Sequence, residues 1–352
     1  MTEFEHWLAS SPKPIDQLAQ SAAQQRQQQL TKPAGSLGQL EEIAIRLAGM
    51  QATVTPNIEQ IHITVFAGDH GIVAEGISAF PQAVTTEMVR NFSRGGAAIS
   101  VLSKETNAHL AVLNMGTVTK IETLTGVQDH RIAAGTQNFL QQPAMTLEQC
   151  QLALTIARQH IEQLKNNGID LFIGGEMGIG NTTSATAIAS ALLSINPIEM
   201  TGAGTGLNQT EIEHKATIIQ QALNQHDSHL TSPLAVLQYL GGFEIAALAG
   251  AYMTCAKVGI PVLVDGFISS VAALMAERLS PGTKNWFLYS HQSSELGHQI
   301  ILKHLAATPL LNIGMRLGEA SGAAATIPLI KLSCALHNSM ATFAEAAVSE
   351  KA

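Results

Sequence analysis

Five short apolar runs constrain the fold of this 352-residue chain more than anything else in it. They are IHITVFAGDHG (61–71), HLAVLNMG (109–116), IDLFIGGEMG (169–178), IPVLVDGF (260–267) and NWFLYSH (285–291), and each gives way to Gly or a polar residue. Their hydrophobicity is continuous rather than alternating, as strands covered on both faces require. Helix-period segments separate them. MTLEQCQLALTIARQHIEQLKNNG (145–168) opens with Thr146 and Gln149 at capping-box spacing and stops at Gly168. QTEIEHKATIIQQALNQH (209–226) offers Thr210 and Glu213 at the same spacing, and FISSVAALMAERLS (267–280) follows the Asp265 strand directly. Strand and helix alternating in this way predict an α/β fold with a doubly wound, mostly parallel sheet.

The two ends of the chain read differently. Residues 15–33 and 38–51 carry helix periodicity with no strand between them, and the tail from about 320 is helical and strand-free. Residues 1–55 and 319–352 are therefore expected to form one small helical domain beside a large α/β domain spanning 56–318. In KPAGSLGQLEE (32–42), Ser36 is placed to cap the second of these helices through Gln39.

Composition narrows the function. A hydrophobic share of 46% with 13% charged residues marks a buried globular chain. The formal net charge of −8 argues against a nucleic-acid partner, since phosphate backbones recruit basic faces. Cys150, Cys255 and Cys334 are far apart and form no CxxC pair, which predicts buried free thiols in a reducing compartment. The polar, mildly acidic start is not that of a secretory signal, and no uncharged apolar run reaches the roughly 18–20 residues of a membrane span. A soluble cytoplasmic protein with no membrane partner is expected.

In an open parallel sheet, ligands bind beyond the carboxyl ends of the strands. Asp69, His70, Asn114, Glu176, Asp265, Ser290 and His291 occupy those ends here. GGEMGIGNTTSAT (174–186) has glycines that allow close backbone approach, and Asn181 or Thr182 is placed to cap the next helix, whose N–H groups would then face an anion. It lacks the Lys of a Walker A loop. It also lacks the dinucleotide fingerprint with an acidic residue about 20 positions on. TGAGTGL (201–207) is a second Gly-rich turn before a helix. GISAFPQAVTTEMV (76–89) puts Phe80, Pro81 and Met88 where they either pack into the core or cover a flat aromatic ligand. GDHG and the pair His291 and His298 have no metal-ligand spacing, and no nucleophile elbow or activated cysteine is present. In GMRLGEASGAAA (314–325), Glu319 lies between two glycines three residues after Arg316.

Taken in order, KPAGSLGQLE, GDHGI with GISAFPQAVT, GTQNF (135–139), GGEMGIGNTTSAT, TGAGTGL, VDGF and GMRLGEASGAA resemble the nicotinate-nucleotide–dimethylbenzimidazole phosphoribosyltransferases over about residues 10–345. The resemblance implies transfer of the 5-phosphoribosyl group of nicotinate mononucleotide to 5,6-dimethylbenzimidazole. It also implies a Rossmann-like fold, a cytoplasmic homodimer and no metal or redox cofactor. By position it makes Glu319 the base that accepts the benzimidazole proton. It places Glu176 and Lys215 in the active site. Gly178, Gly180, Asn181, Thr182, Gly202, Gly204, Asp265, Ser290, Arg316 and Gly318 fall around the phosphate, ribose and nicotinate, and Phe80, Pro81 and Met88 in the base-binding segment. A non-catalytic nucleotide or azole carrier using the same loops remains the alternative, and a dinucleotide-dependent oxidoreductase a more distant one.

Overall fold

In the computed structural model, which describes residues 2–204 and 206–349, the five apolar runs become five of the six strands of one parallel sheet. The strands are β1 (Ile61–Gly68), β2 (His109–Gly116), β3 (Val127–Asp129), β4 (Leu171–Met177), β5 (Val262–Val264) and β6 (Phe287–Tyr289). Their order is β3-β2-β1-β4-β5-β6, and every pairing is parallel. Successive strands are added outward in one direction from β1 to β3 and in the other from β4 to β6, so the switch point of a doubly wound fold lies between β1 and β4.

Continuous hydrophobicity has its cause in two cores, one on each face. Along β1, Ile63, Val65 and Ala67 enter one cluster and Phe66 the other, and β4 divides Leu171 and Ile173 from Phe172 in the same way. The helices around the sheet include α1 (Glu3–Ala9), α2 (Gln17–Gln29), α3 (Gln39–Gln51), α4 (Ala83–Arg94), α5 (Leu147–Asn166), α6 (Asn181–Leu193), α7 (Gln209–His226), α8 (Phe243–Val258), α9 (Phe267–Leu279), α10 (Leu296–Leu305) and α11 (Ser321–Ser339). On one face α8, buried almost throughout, lies between the sheet and α5. Such a helix is apolar all round because no side of it meets water. On the other face α3, α4 and α11 bury Leu47, Val89, Phe92, Ala323, Ala324 and Ile327.

The helices from the two ends do meet. α2, α3 and α11 pack together, and Arg26 of α2 donates through Nε to the His337 carbonyl (2.8 Å) and through Nη2 to the Asn338 carbonyl (3.1 Å) at the end of α11. The first half of α11 also covers β1 and β4, so this helix belongs to the sheet as much as to the bundle. Residues 3–9 lie elsewhere. Trp7 of α1 is buried against the α5–α8 side, where Arg158 and Lys257 both approach its ring.

Helix starts follow the spacing in part. Thr146 and Gln149 form the expected capping box. In α7 the box is made by Asn208 and Glu211 instead of Thr210 and Glu213, and Glu213 accepts from the Gln209 side chain at 3.0 Å. α3 starts at Gly38 with no side-chain cap. The preceding turn is held by Glu41, which accepts from the Leu37 N–H (3.0 Å) and pairs with Lys32 (2.8 Å). Cys150, Cys255 and Cys334 are buried free thiols, and no described helix is long and apolar enough to cross a membrane.

The α5–α8 crossing is close because Gly250 has no side chain. A Cβ there would lie 2.8 Å from the Leu154 carbonyl oxygen and 3.0 Å from its Cα. Gly250→Ala gains helix propensity but overpacks against backbone that cannot yield, so a net loss of about 1–3 kcal/mol is expected. Urea unfolding measures it as a lowered midpoint at unchanged slope, and an unchanged or raised midpoint contradicts this packing.

Candidate active site

The carboxyl ends of β4, β5 and β6 surround a cavity of about 520 Å³, within the roughly 300–1,000 Å³ of small-molecule sites. Its construction begins with the glycines of β4. A Cβ on Gly174 would strike Leu248 and Tyr252 of α8, and one on Gly175 would lie 2.7 Å from the Ala320 nitrogen and 2.8 Å from the Glu319 carbonyl carbon. Gly178 is held against the Gly68 carbonyl, and Gly180 (φ +97°) turns beside His70 and Val73. Gly175 and Gly178 make room for the protein's own backbone, Gly174 and Gly180 for side chains, and Gly178 also lines the cavity. Neither Asn181 nor Thr182 caps α6. Gly180 is its N-cap residue, and the Asn181 side chain turns back to donate a short hydrogen bond to Glu176.

The space at Gly175 is taken by a left-handed turn. Gly318, Glu319 and Ala320 have φ of +85°, +61° and +65°. Two consecutive non-glycine residues there cost on the order of 1–2 kcal/mol each. The turn is held by Ser321 N–H to the Gly318 carbonyl (2.9 Å) and by Ala323 N–H to Asp265 Oδ1 (2.8 Å). Gly322 leaves room for the His291 ring, and Gly318 for the Glu176 carboxyl.

Of the four buried carboxyl groups that line the cavity, Glu176, Asp265 and Glu319 sense one another's charge, and Glu295 stands apart toward Lys215. Burial raises the Glu319 pKa to about 7, with the Asp265 charge adding to it. Glu319 Oε2 is buried and has no hydrogen-bond partner. Burial pushes Glu176 well above the ordinary carboxylate range, with Asp265 and Glu244 reinforcing it. Burial also raises Asp265, although His291 and the N–H groups of Ala323, Gly266 and Gly322 favour its charged form.

The cationic corner is separate. Lys215 of α7 is buried, and its Nζ donates to Thr182 Oγ1 at 2.8 Å beside Gly204. Burial lowers its pKa to about 8, and Glu295 opposes the shift. Exposed Arg316 donates through Nη1 to the Gly204 carbonyl at 3.2 Å.

Of the residues expected at a site, Phe80, Glu176, Gly178, Asn181, Thr182, Gly204, Asp265, Arg316, Gly318 and Glu319 line the cavity. Lys215 stands behind Thr182, Gly202 lies against the Glu295 carboxyl, and Ser290 donates to the Asp265 carbonyl at 3.2 Å. Pro81 is exposed outside the lining, and half-buried Met88 packs onto the core beneath α4. The lining adds Ile179, the Gly266–Ser269 start of α9, His291, Ser293 and Glu295. Of these, His291 carried a signal by its place at a strand end, and Ile179, Gly266 and Phe267 lay within the quoted motifs without being singled out. GDHG has a structural role: Asp69 Oδ2 accepts from the Val118 N–H (2.8 Å) and His70 Nε2 meets Glu244 Oε1 (2.6 Å), the side chains of this last pair fully enclosed. His298 holds the loop through Ser270 (2.9 Å) and the Ser293 N–H (2.8 Å). Among the described residues no group of three or more His, Cys, Asp or Glu is arranged to hold a metal ion.

Comparison with known proteins finds relatives along nearly the whole chain. A family model described as a phosphoribosyltransferase matches residues 12–348. Nicotinate-nucleotide–dimethylbenzimidazole phosphoribosyltransferases of Pseudomonas putida KT2440 and Pseudomonas aeruginosa PAO1 are each 54% identical over 345 residues, covering 98% of both chains. The crystal structure of CobT from Thermus thermophilus superposes with a TM-score of 0.91 at 39% identity, covering 95% of this chain and 100% of that one.

The Glu319 shift has a consequence for stability. Its carboxyl titrates near 7 when folded against about 4.5 when unfolded, so the native state holds the extra proton between those values. Stability from this group is therefore present below about pH 4.5 and is lost as pH rises through 7. Glu319→Gln removes that loss. Relative to wild type, the variant should gain on the order of 2 kcal/mol between pH 5 and pH 8, read from urea midpoints. An equal difference at both pH values contradicts a raised Glu319.

Proposed function

The chain belongs to the nicotinate-nucleotide–dimethylbenzimidazole phosphoribosyltransferase family and is a transferase; on that premise we propose that it moves the 5-phosphoribosyl group of nicotinate mononucleotide onto 5,6-dimethylbenzimidazole, with Glu319 as general base. The products are α-ribazole 5′-phosphate and nicotinate. The observation that carries the reading is Glu319 Oε2, a buried carboxylate oxygen with no partner of its own, on a side chain that lines the cavity and titrates near 7. Its pKa lies near the working pH, where a general base is most effective.

The nicotinate ring leaves from a cationic glycosidic bond, so no acid has to protonate it. Departure builds oxocarbenium character at C1′. Benzimidazole attacks from the opposite face through one ring nitrogen while its other nitrogen gives its proton to Glu319. This accounts for inversion from the β-nucleotide to the α-product. Thr182, the Gly204 backbone and Arg316 line the cavity with Lys215 behind Thr182, and together they suit a phosphate. Glu176, whose carboxyl burial pushes well above the ordinary carboxylate range and which Asn181 fixes, suits a hydrogen bond to the sugar or the leaving ring better than the part of a second base. Phe80, Ile179, Phe267 and Ile268 give the flat rings apolar walls. Alignment of the two rings contributes as much to rate as the base does. A cytoplasmic homodimer is part of this reading, and exposed Phe80 and Leu317 at the mouth of the cavity suit cover by a second copy.

Incubation with both substrates should release nicotinate and form α-ribazole 5′-phosphate. A carrier would bind the nucleotide and release nothing. Glu319→Gln should lower kcat by about 10²–10⁴ while nicotinate mononucleotide still binds. The wild-type rate should rise with pH through an acid limb near 7, as Glu319 ionises. Near-normal turnover in the variant would rule out the base role.

A further inference from the structure

A second cavity, of about 290 Å³, opens at the β6 edge of the sheet between α3 and the C-terminal end of α10. It shares no lining residue with the first. On one wall lies Arg46 of α3, half-buried, with Nη2 donating to the Phe287 carbonyl at 2.5 Å. Among the described residues no carboxylate forms an ion pair with this guanidinium. Burial holds its pKa below the usual arginine value, with the Glu42 charge opposing the shift. On another wall is Tyr289, 6% exposed, whose hydroxyl is buried and has no hydrogen-bond partner. Burial raises the Tyr289 pKa and the Arg46 charge opposes that shift, so the two groups sense one another. Lys284 and Asn285 stand at the exposed rim, and Glu42 is the single carboxylate of the lining. Two cations against one carboxylate leave a positive cavity.

A buried hydroxyl without a partner is costly, and a desolvated guanidinium lacks the anion that its planar fork of donors fits. One oxyanion satisfies both. We propose that this cavity is a binding site for a small oxyanion, a carboxylate or a phosphate, held by Arg46 and the Tyr289 hydroxyl with Lys284 at the rim. The site is not part of the catalytic machinery but lies next to it in the chain. Tyr289 precedes Ser290 and His291, and the Tyr289 and Ser290 carbonyls accept from the Leu310 N–H at 3.2 and 3.0 Å. Residues 310–311, joined to His291 by a parallel bridge, lead directly to Arg316 and Glu319. An anion here bears on the wall and on the left-handed turn of the active site, as an effector would.

Thermal unfolding of the full chain tests this with inorganic phosphate and with malonate, each against sodium chloride at matched ionic strength. At an anion concentration tenfold above its dissociation constant, the wild-type Tm should rise by about 2 °C beyond the chloride control. Whichever anion acts identifies the oxyanion. Arg46→Gln should reduce the increment to what the Lys215–Thr182 corner alone supplies. Tyr289→Phe should reduce it while being at least as stable as wild type without anion, because it removes only the unpaired hydroxyl. This variant decides the matter if Arg46→Gln does not fold. The same increment in all three proteins places the anion at the Lys215–Thr182 corner alone and overturns the proposal. So does the absence of any effect beyond chloride.

Discussion

At Gly175 the middle of β4 carries no side chain, and the space belongs to the backbone of Glu319 and Ala320. Everything specific to the active site depends on that close approach. With any larger residue at 175, the left-handed turn would have to lift from the sheet, taking the carboxyl of Glu319 away from Asp265 and Glu176. The turn is strained at two non-glycine positions and is held by neighbours that are themselves buried, chiefly the Asp265 carboxylate at the start of α11. Strain of this kind persists only where the surroundings over-determine it, and here it fixes the orientation of one side chain.

The same approach creates the electrostatics. Three carboxyl groups crowd the carboxyl end of an almost apolar sheet, and they cannot all remain ionised. Their environments separate them. Asp265 collects three backbone N–H groups and faces His291, while Glu176 is fully enclosed and has Asp265, Glu244 and Glu319 as its charged neighbours. Glu319 is between these extremes, buried at the cavity wall with one oxygen unpaired. Two carboxyl groups with diverging environments are how one site holds a donor and a base together. The phosphate-seeking cations stand apart on α7 and the 316 loop, so they do not neutralise the base.

Much of this was legible in the chain. Continuous apolar runs located five strands, because coverage on both faces leaves no polar side to alternate. β3 was not legible: its three residues, VQD, form a partly exposed edge. The polar residues at strand ends pointed to the right edge of the sheet. The glycines of 174–180 were legible as necessary but not in their purpose, since what fills the space at Gly174 and Gly175 comes from α8 and from residues 319–320, far away in sequence. Caps two residues from the expected ones, at Asn208 and Gly38, show that spacing alone does not settle which acceptor, if any, the backbone N–H groups take. From local chemistry Glu319 was only a carboxylate before a helix. Its positive φ and unpartnered oxygen arise from tertiary packing, and family resemblance supplied what local pattern could not. Glu295 and the start of α9 entered the cavity for the same non-local reason.

The central claim is that this packing, not the local sequence, gives Glu319 the acidity of a base at neutral pH. A pH titration of carboxyl-carbon resonances in protein labelled at glutamate measures it directly. The account predicts one resonance with a midpoint near 7 that disappears in Glu319→Gln and moves to lower pH in Asp265→Asn, where the neighbouring charge is gone. A Glu319 resonance titrating near 4.5, in the ordinary glutamate range, would contradict it.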